Sequence, residues 1–278
     1  MLPGVLQLQE LSGPGLQQLS GEAKAAFVLY KYVPFDGLHV GGVAGAVLGA
    51  GGSEAWSSRA AAMVFLQVFW FRHCYQLAAT DMEQLQAFVV GRLQDSKVEV
   101  RGLAAATLSG IIKALPAHEM DALRHTMLAS VRRLFATPSA TRRKRSSTPA
   151  SRPSDSGVPA VAAAAAAAEV SLDAAGAAAF AQQQGAVFLA EAQAVVQGLK
   201  AFVLSSPYDV PAWMPEVLMA LVAAANSRNP LVRRDASKSL SEFKRTHEED
   251  ALEQLRGMLG EEQWEAMTQV TSSASYFV

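Results

Sequence analysis

Val100-Arg101-Gly102-Leu103-Ala104-Ala105-Ala106-Thr107-Leu108-Ser109-Gly110 and Val232-Arg233-Arg234-Asp235-Ala236-Ser237-Lys238-Ser239-Leu240-Ser241 lie 132 residues apart and share the pattern Val-Arg-x-x-Ala-x-x-x-Leu. Steps of four residues place the Val, the Ala and the Leu on one face of a helix. The small Ala lets a partner helix approach, the Leu fills the seam, and the Arg helps tie adjacent turns. Asp95 precedes the first copy and Asn229-Pro230 opens the second.

The stretches around both copies are helical in pattern. Ser53 is placed to cap a helix running to about Leu77. Thr80-Asp-Met-Glu83 reads as a capping box for a helix to about Leu93, with Met82, Leu85, Phe88, Val89 and Leu93 on one face. Asp95 and Ser96 open the next helix, through Leu115, and another follows from about His118 to Phe135. Gln184–Leu199 resumes the amphipathic pattern. Ser205–Pro215 is a turn with three prolines, Pro207, Pro211 and Pro215. Asp209 is expected to cap the helix that follows, with Pro211 in its first turn and Trp213, Val217, Leu218 and Leu221 on its buried face. Helices over about 230–246, 248–259 and 261–271 complete the chain, the last two separated by Gly260. Glu248, Glu249 and Asp250 suit the start of the first of these two, where carboxylates favour the helix dipole. No alternating strand pattern occurs. Paired helices with a twice-written motif are the signature of HEAT repeats, and three units of about 44 residues fit the offset between the copies. The expected fold is therefore all-α: a HEAT/armadillo-like α-solenoid of antiparallel helix pairs, with a disordered basic insertion and an extended C-terminal tail.

The expected organisation has five parts. Residues 1–52 are a weakly structured segment rich in Gly and Ala, and 53–136 hold HEAT-like repeats. Residues 137–180 combine a Ser/Thr/Pro/basic loop, too polar to order itself, with an alanine-rich stretch. Residues 181–271 hold the C-terminal repeats and 272–278 the tail. Within the insertion, Arg142-Arg143-Lys144-Arg145 is a patch for nuclear import or polyanions. No aromatic residues interleave with it, which argues against specific nucleic-acid binding.

Composition excludes several functions. At 278 residues, 50% hydrophobic and 18% charged, the chain is long enough for a real core. A net charge of −1 supplies no global field toward nucleic acid or membrane. The single Cys74 lies in an apolar run and is expected to pack as a small hydrophobe; no intrachain disulfide is open to it. The five histidines make no HExxH, and no Gly-x-Ser-x-Gly elbow occurs, so neither a metal centre nor a catalytic site is expected and no cofactor is implied. The N-terminus lacks a basic n-region, and the apolar run Ala60–Phe71 is too short for a span of about 20 residues, so a soluble chain is expected. The tail Thr271-Ser-Ser-Ala-Ser-Tyr276-Phe277-Val278 turns abruptly aromatic, which suits insertion of a short peptide with a free carboxylate into a pocket.

From Ser53 to Val278 the chain resembles the C-terminal part of the large HEAT-repeat proteasome activators, the Blm-type family. The resemblance rests on Val100–Gly110, the Ser205–Pro215 turn, Leu240-Ser-Glu-Phe-Lys-Arg-Thr-His247 and the tail, in that order, with a basic loop between the first two. Residues 1–52 show none. The resemblance implies a non-enzymatic partner of the proteasome core particle that opens its gate without ATP or ubiquitin. It places Tyr276, Phe277 and Val278 in the family's hydrophobic–Tyr–any positions, with the Val278 carboxylate paired to a lysine in a pocket of the core-particle α-ring. Phe277 departs from the family tyrosine. It also implies a nuclear and cytoplasmic location, with acetylated histones and inositol polyphosphates as further partners. The family's chains are several times longer. The rival reading is a HEAT-repeat scaffold that binds another protein or a nuclear cargo without opening a gate.

Overall fold

The computed structural model describes residues 32–135 and 185–273. Tyr276, Phe277, Val278, the Arg142–Arg145 patch and the 137–180 insertion fall outside them. The chain divides into two compact units, 1–135 with 190–278, and 136–189; every described helix belongs to the first, except for the opening turn of one.

Among the described residues the chain forms ten α-helices and no strand, consistent with an α-solenoid. They are α1 (Val40–Gly51), α2 (Trp56–His73), α3 (Ala79–Arg92), α4 (Val98–Ala114), α5 (Ala117–Phe135), α6 (Gly185–Ser205), α7 (Met214–Ala225), α8 (Pro230–Thr246), α9 (Glu249–Met258) and α10 (Glu261–Ser273). A 3-10 turn, Cys74–Gln76, follows α2. Short links make hairpins of α1/α2, α3/α4 and α7/α8, while α2 packs on α4, α1 on α3 and α5 on α7. The α5/α6 pair is antiparallel: Arg133 meets Glu191 at one end, and Gly198 lies against Met127 further along.

Bonds between successive pairs keep a register of 42 to 44 residues. Thr107 Oγ1 donates to the Met63 carbonyl at 3.3 Å, 44 residues back. Gln193 Nε2 donates to Asp235 Oδ2 at 3.2 Å and Lys200 Nζ meets Glu242 Oε2 at 2.9 Å, each 42 residues apart. Gln254 Nε2 reaches the Val210 carbonyl, again 44 residues back. Equivalent helices therefore lie parallel, one helix pair apart. The two copies of the Val-Arg motif sit on α4 and α8, with α6 between them. Their separation is thus two pairs, not three units; the excess length is the segment inserted between α5 and α6.

Phe65, Phe69, Leu108, Leu199, Phe202 and Phe243 belong to the core and are all fully buried. At the first junction Arg59 and Asp95 are buried together: Arg59 Nε and Nη2 donate to the two carboxylate oxygens at 2.7 and 2.9 Å. Arg59 Nη1 also donates to the carbonyls of Ser53 and Glu54, and Arg101 repeats this on the next pair, toward Asp95 and Ser96. Burial pushes the Asp95 carboxyl up, but the Arg59 bonds, the Lys97 amide and the Arg92 charge outweigh it and hold the group below the usual aspartate value.

Several expectations fail for local reasons. Residues 40–51, expected within a weakly structured segment, form α1, with Val40, Ala44, Val47 and Ala50 buried. Its glycines cost helix propensity but allow close approach: a Cβ on Gly51 would stand 2.0 Å from Phe88 Cζ. The Thr80–Glu83 capping box does not form, because α3 already begins at Ala79 with Ala78 as its uncapped N-terminal residue. Asp209 does not cap α7, which starts at Met214 with Pro215 in its first turn. Among the described residues one helix, α6, is long and apolar enough to cross a bilayer by length and composition, and 56% of its apolar window is buried inside the protein.

Candidate functional site

The C-terminal tail is reached through α8, α9 and α10, and each of these helices is set by identifiable residues. Asn229 Oδ1 accepts from the Leu231 and Val232 amides and caps α8, and Pro230 fits its first position. Val232, Ala236, Leu240 and Phe243 then fall on the buried face. One turn beyond Phe243, His247 is buried with its ring 4.0 Å from the Phe243 ring. Its Nδ1 is 2.9 Å from the Phe243 carbonyl and its Nε2 is 3.0 Å from the Ser206 carbonyl. The motif ending in His247 and the Ser205–Pro215 turn, separate in sequence, thus touch. Trp213 closes the same corner edge-on to Phe202, at 5.7 Å between centroids.

The last pair is lightly built. α9 buries Leu255, and Leu259 follows it into the core. Gln263 Oε1 reaches back to accept from the Gly260 amide at 3.3 Å, opening α10. Arg256 pairs with Glu261 at 3.2 Å and lies 5.9 Å from the Trp264 ring centroid. Met267 is buried, and one turn later Thr271 Oγ1 accepts from Lys244 Nζ at 3.1 Å. α10 packs on both α7 and α8. The final helix is therefore fixed to α8 within a turn of its end, and five further residues follow Ser273. Fully extended they reach about 17 Å at most.

This end of the molecule is strongly acidic. Glu248, Glu249, Asp250, Glu253, Glu261, Glu262 and Glu265 are all exposed, and Arg256 is the single Lys or Arg from His247 to Val278. Glu248, Glu249 and Asp250 do stand at the opening of α9, as their sequence position suggests. The wider charge imbalance is visible only when α9 and α10 are taken together. α8 next to them carries Arg233, Arg234, Lys238, Lys244 and Arg245 against two carboxylates.

Other candidate residues are dispersed. Cys74 is buried and free, and His118 and His125 are exposed on α5. Among the described residues no group of three His, Cys, Asp or Glu could hold a metal ion. The role of His247 is not evident from sequence, although a histidine four residues after a buried phenylalanine at a helix end is the available signal.

A family model described as "Proteasome activator complex subunit 4-like, C-terminal" matches residues 189–278. The chain is similar to the proteasome activator subunit 4 of Arabidopsis thaliana, 30% identical over 273 residues, covering 98% of this chain and 13% of the relative. It is 29% identical over 229 residues to the proteasome activator complex subunit 4 of Homo sapiens, covering 81% of this chain and 10% of the relative. The match to subunit 4B of Danio rerio is 29% over 228 residues, again 81% and 10%. The chain spans 13% or less of the length of these relatives. By its packed C-terminal helices and by these matches, the chain belongs to the proteasome activator subunit 4 family and corresponds to its C-terminal part.

Proposed function

We propose that this chain is the C-terminal unit of a proteasome activator, and that Tyr276-Phe277-Val278 docks into the α-ring of the proteasome core particle and promotes ATP- and ubiquitin-independent gate opening. The observation that carries the reading is the family match, which runs from residue 189 to the terminal Val278. The latch between Thr271 and Lys244 supports it, because a tail leaving a fixed helix loses less freedom on docking than one leaving a loose end. In this reading the Val278 carboxylate pairs with a pocket lysine while the two aromatics pack beside it. HEAT-type repeats are the fitting description of the stack, whose registers of 42 and 44 residues fall within the period of about 40–47 for such repeats. Nuclear and cytoplasmic residence belongs to the same reading, with Arg142–Arg145 as import signal or polyanion contact. Acetylated histones and inositol polyphosphates follow as further partners through the family resemblance.

The test is hydrolysis of a fluorogenic peptide by latent core particle, with the full chain and with a chain lacking Tyr276–Val278. Stimulation that disappears with the triplet is the expected result. Absence of both stimulation and core-particle binding in a pull-down favours the second reading: a helical-repeat scaffold that holds another protein or a nuclear cargo.

A further inference from the structure

A groove of about 890 Å³ lies between the C-terminal halves of α2 and α4. Ala106, Gly110 and Ala114 of α4 leave its floor open, since none carries bulk beyond a methyl group. Its α2 wall ends in two large aromatics four residues apart that stand in water, Phe71 at 85% and Tyr75 at 96% exposure. Aromatic side chains exposed beside a concavity are the usual anchors of peptide recognition. Trp70 lines the same groove, is only 3% exposed, and its indole N–H has no hydrogen-bond partner. A buried donor left in this way is satisfied by an acceptor brought from outside, and a peptide carbonyl is one. The lining contains Lys113 and no carboxylate, and Arg72, next to Phe71, is exposed. Among the described residues neither cation is in an ion pair. This contrasts with α9 and α10, where exposed carboxylates dominate.

We infer that the α2/α4 groove docks a short extended peptide from another protein, one that carries aromatic or large aliphatic side chains flanked by carboxylates. The apolar side chains lie against Phe71, Tyr75 and Val68, a backbone carbonyl takes the Trp70 N–H, and a carboxylate pairs with Lys113 or Arg72. The groove is lined by residues between 32 and 114, so this inference does not rest on core-particle docking.

The experiment titrates fluorescein-labelled Glu-Phe-Glu-Leu-Phe-Glu-Glu with the full chain in low salt and follows fluorescence polarisation. The same peptide with lysine for every glutamate is the control, and the Trp70 indole N–H is followed by NMR against a Trp70→Phe spectrum. Saturable binding of the acidic peptide is expected, with a shifted Trp70 resonance. Phe71→Ala with Tyr75→Ala should weaken it at least tenfold. Lys113→Glu with Arg72→Glu should abolish it and transfer binding to the lysine peptide. All four side chains carry their polar or aromatic ends at the surface, so unchanged melting of the variants separates lost binding from lost fold. Deleting Tyr276–Val278 should leave peptide binding intact. Absence of saturable binding, or equal binding by the variants, overturns the inference. It is equally overturned if binding appears only after residues 1–31 are removed, which would assign the groove to the chain's own N-terminus. Self-association that Phe71→Ala abolishes would assign it to a second copy.

Discussion

Asp95→Asn is the substitution that most directly tests how successive helix pairs are joined. Asp95 and Arg59 share two charge-assisted hydrogen bonds at 2.7 and 2.9 Å, and both residues are 8% exposed. Removing one partner of a buried pair generally costs about 3–5 kcal/mol because the other charge is stranded. Here the stranding is partial. Arg59 Nη1 keeps the Ser53 and Glu54 carbonyls, and an asparagine still accepts from the Lys97 amide as Asp95 does at 3.0 Å. The expected loss is therefore at the low end, about 3 kcal/mol, close to two charge-assisted bonds at about 1.5 kcal/mol each. Urea unfolding at pH 7 followed by circular dichroism reads it, with Arg59→Met and the double variant closing a cycle. The pH dependence carries a second signature. The Asp95 carboxyl titrates below its ordinary value in the fold, so near pH 4 the unfolded chain binds more protons than the folded one. Its contribution is complete above the unfolded aspartate value and is lost as pH falls through the lower folded value. Wild type should therefore lose stability below about pH 4 more steeply than Asp95→Asn. A loss under about 1 kcal/mol at neutral pH, or parallel acid profiles, would show that the junction is held by apolar packing alone.

Gly51→Ala should lower the melting temperature although alanine is the better helix former, because the new methyl meets the Phe88 ring; Gly102→Ala, with open space around it, should raise stability by up to about 1 kcal/mol. Opposite signs in thermal melts are the check. His247→Ala removes the link between the end of α8 and the Ser206 carbonyl and should cost about 1–3 kcal/mol, with faster amide exchange confined to the 204–214 turn and the start of α9. On the proposed docking of the tail, Phe277→Tyr should tighten core-particle binding by roughly 2- to 10-fold, the equivalent of about 0.5–1.5 kcal/mol. A weaker or unchanged half-maximal concentration in the peptidase assay counts against the docking geometry.

Much of the fold is legible in the sequence because its signals are local and agree with one another. The bounds of α8 follow from Asn229-Pro230 and from the stripe Val232, Ala236, Leu240, Phe243, all of which the structure uses. α1 is illegible for the opposite reason. Its glycines lower helix propensity, and the compensating contact with Phe88 comes from another helix. The capping motifs mislead because Thr80 and Asp209 are good capping residues in water, whereas tertiary packing sets the starts of α3 and α7 a few residues away. At the C-terminal end, the tail stands out by its chemistry and by resemblance. The His247 bridge does not, since a carbonyl partner 41 residues away leaves no trace in the spacing.

The segment 136–184 joins two helices that already find each other: Met127 lies against Gly198, and Arg133 meets Glu191. The third pair therefore tolerates a cut chain. Polypeptides 1–135 and 185–278, produced separately, should reassemble by complementation, and the break between α5 and α6 becomes the natural place to insert a reporter domain or to divide the molecule for segmental isotope labelling.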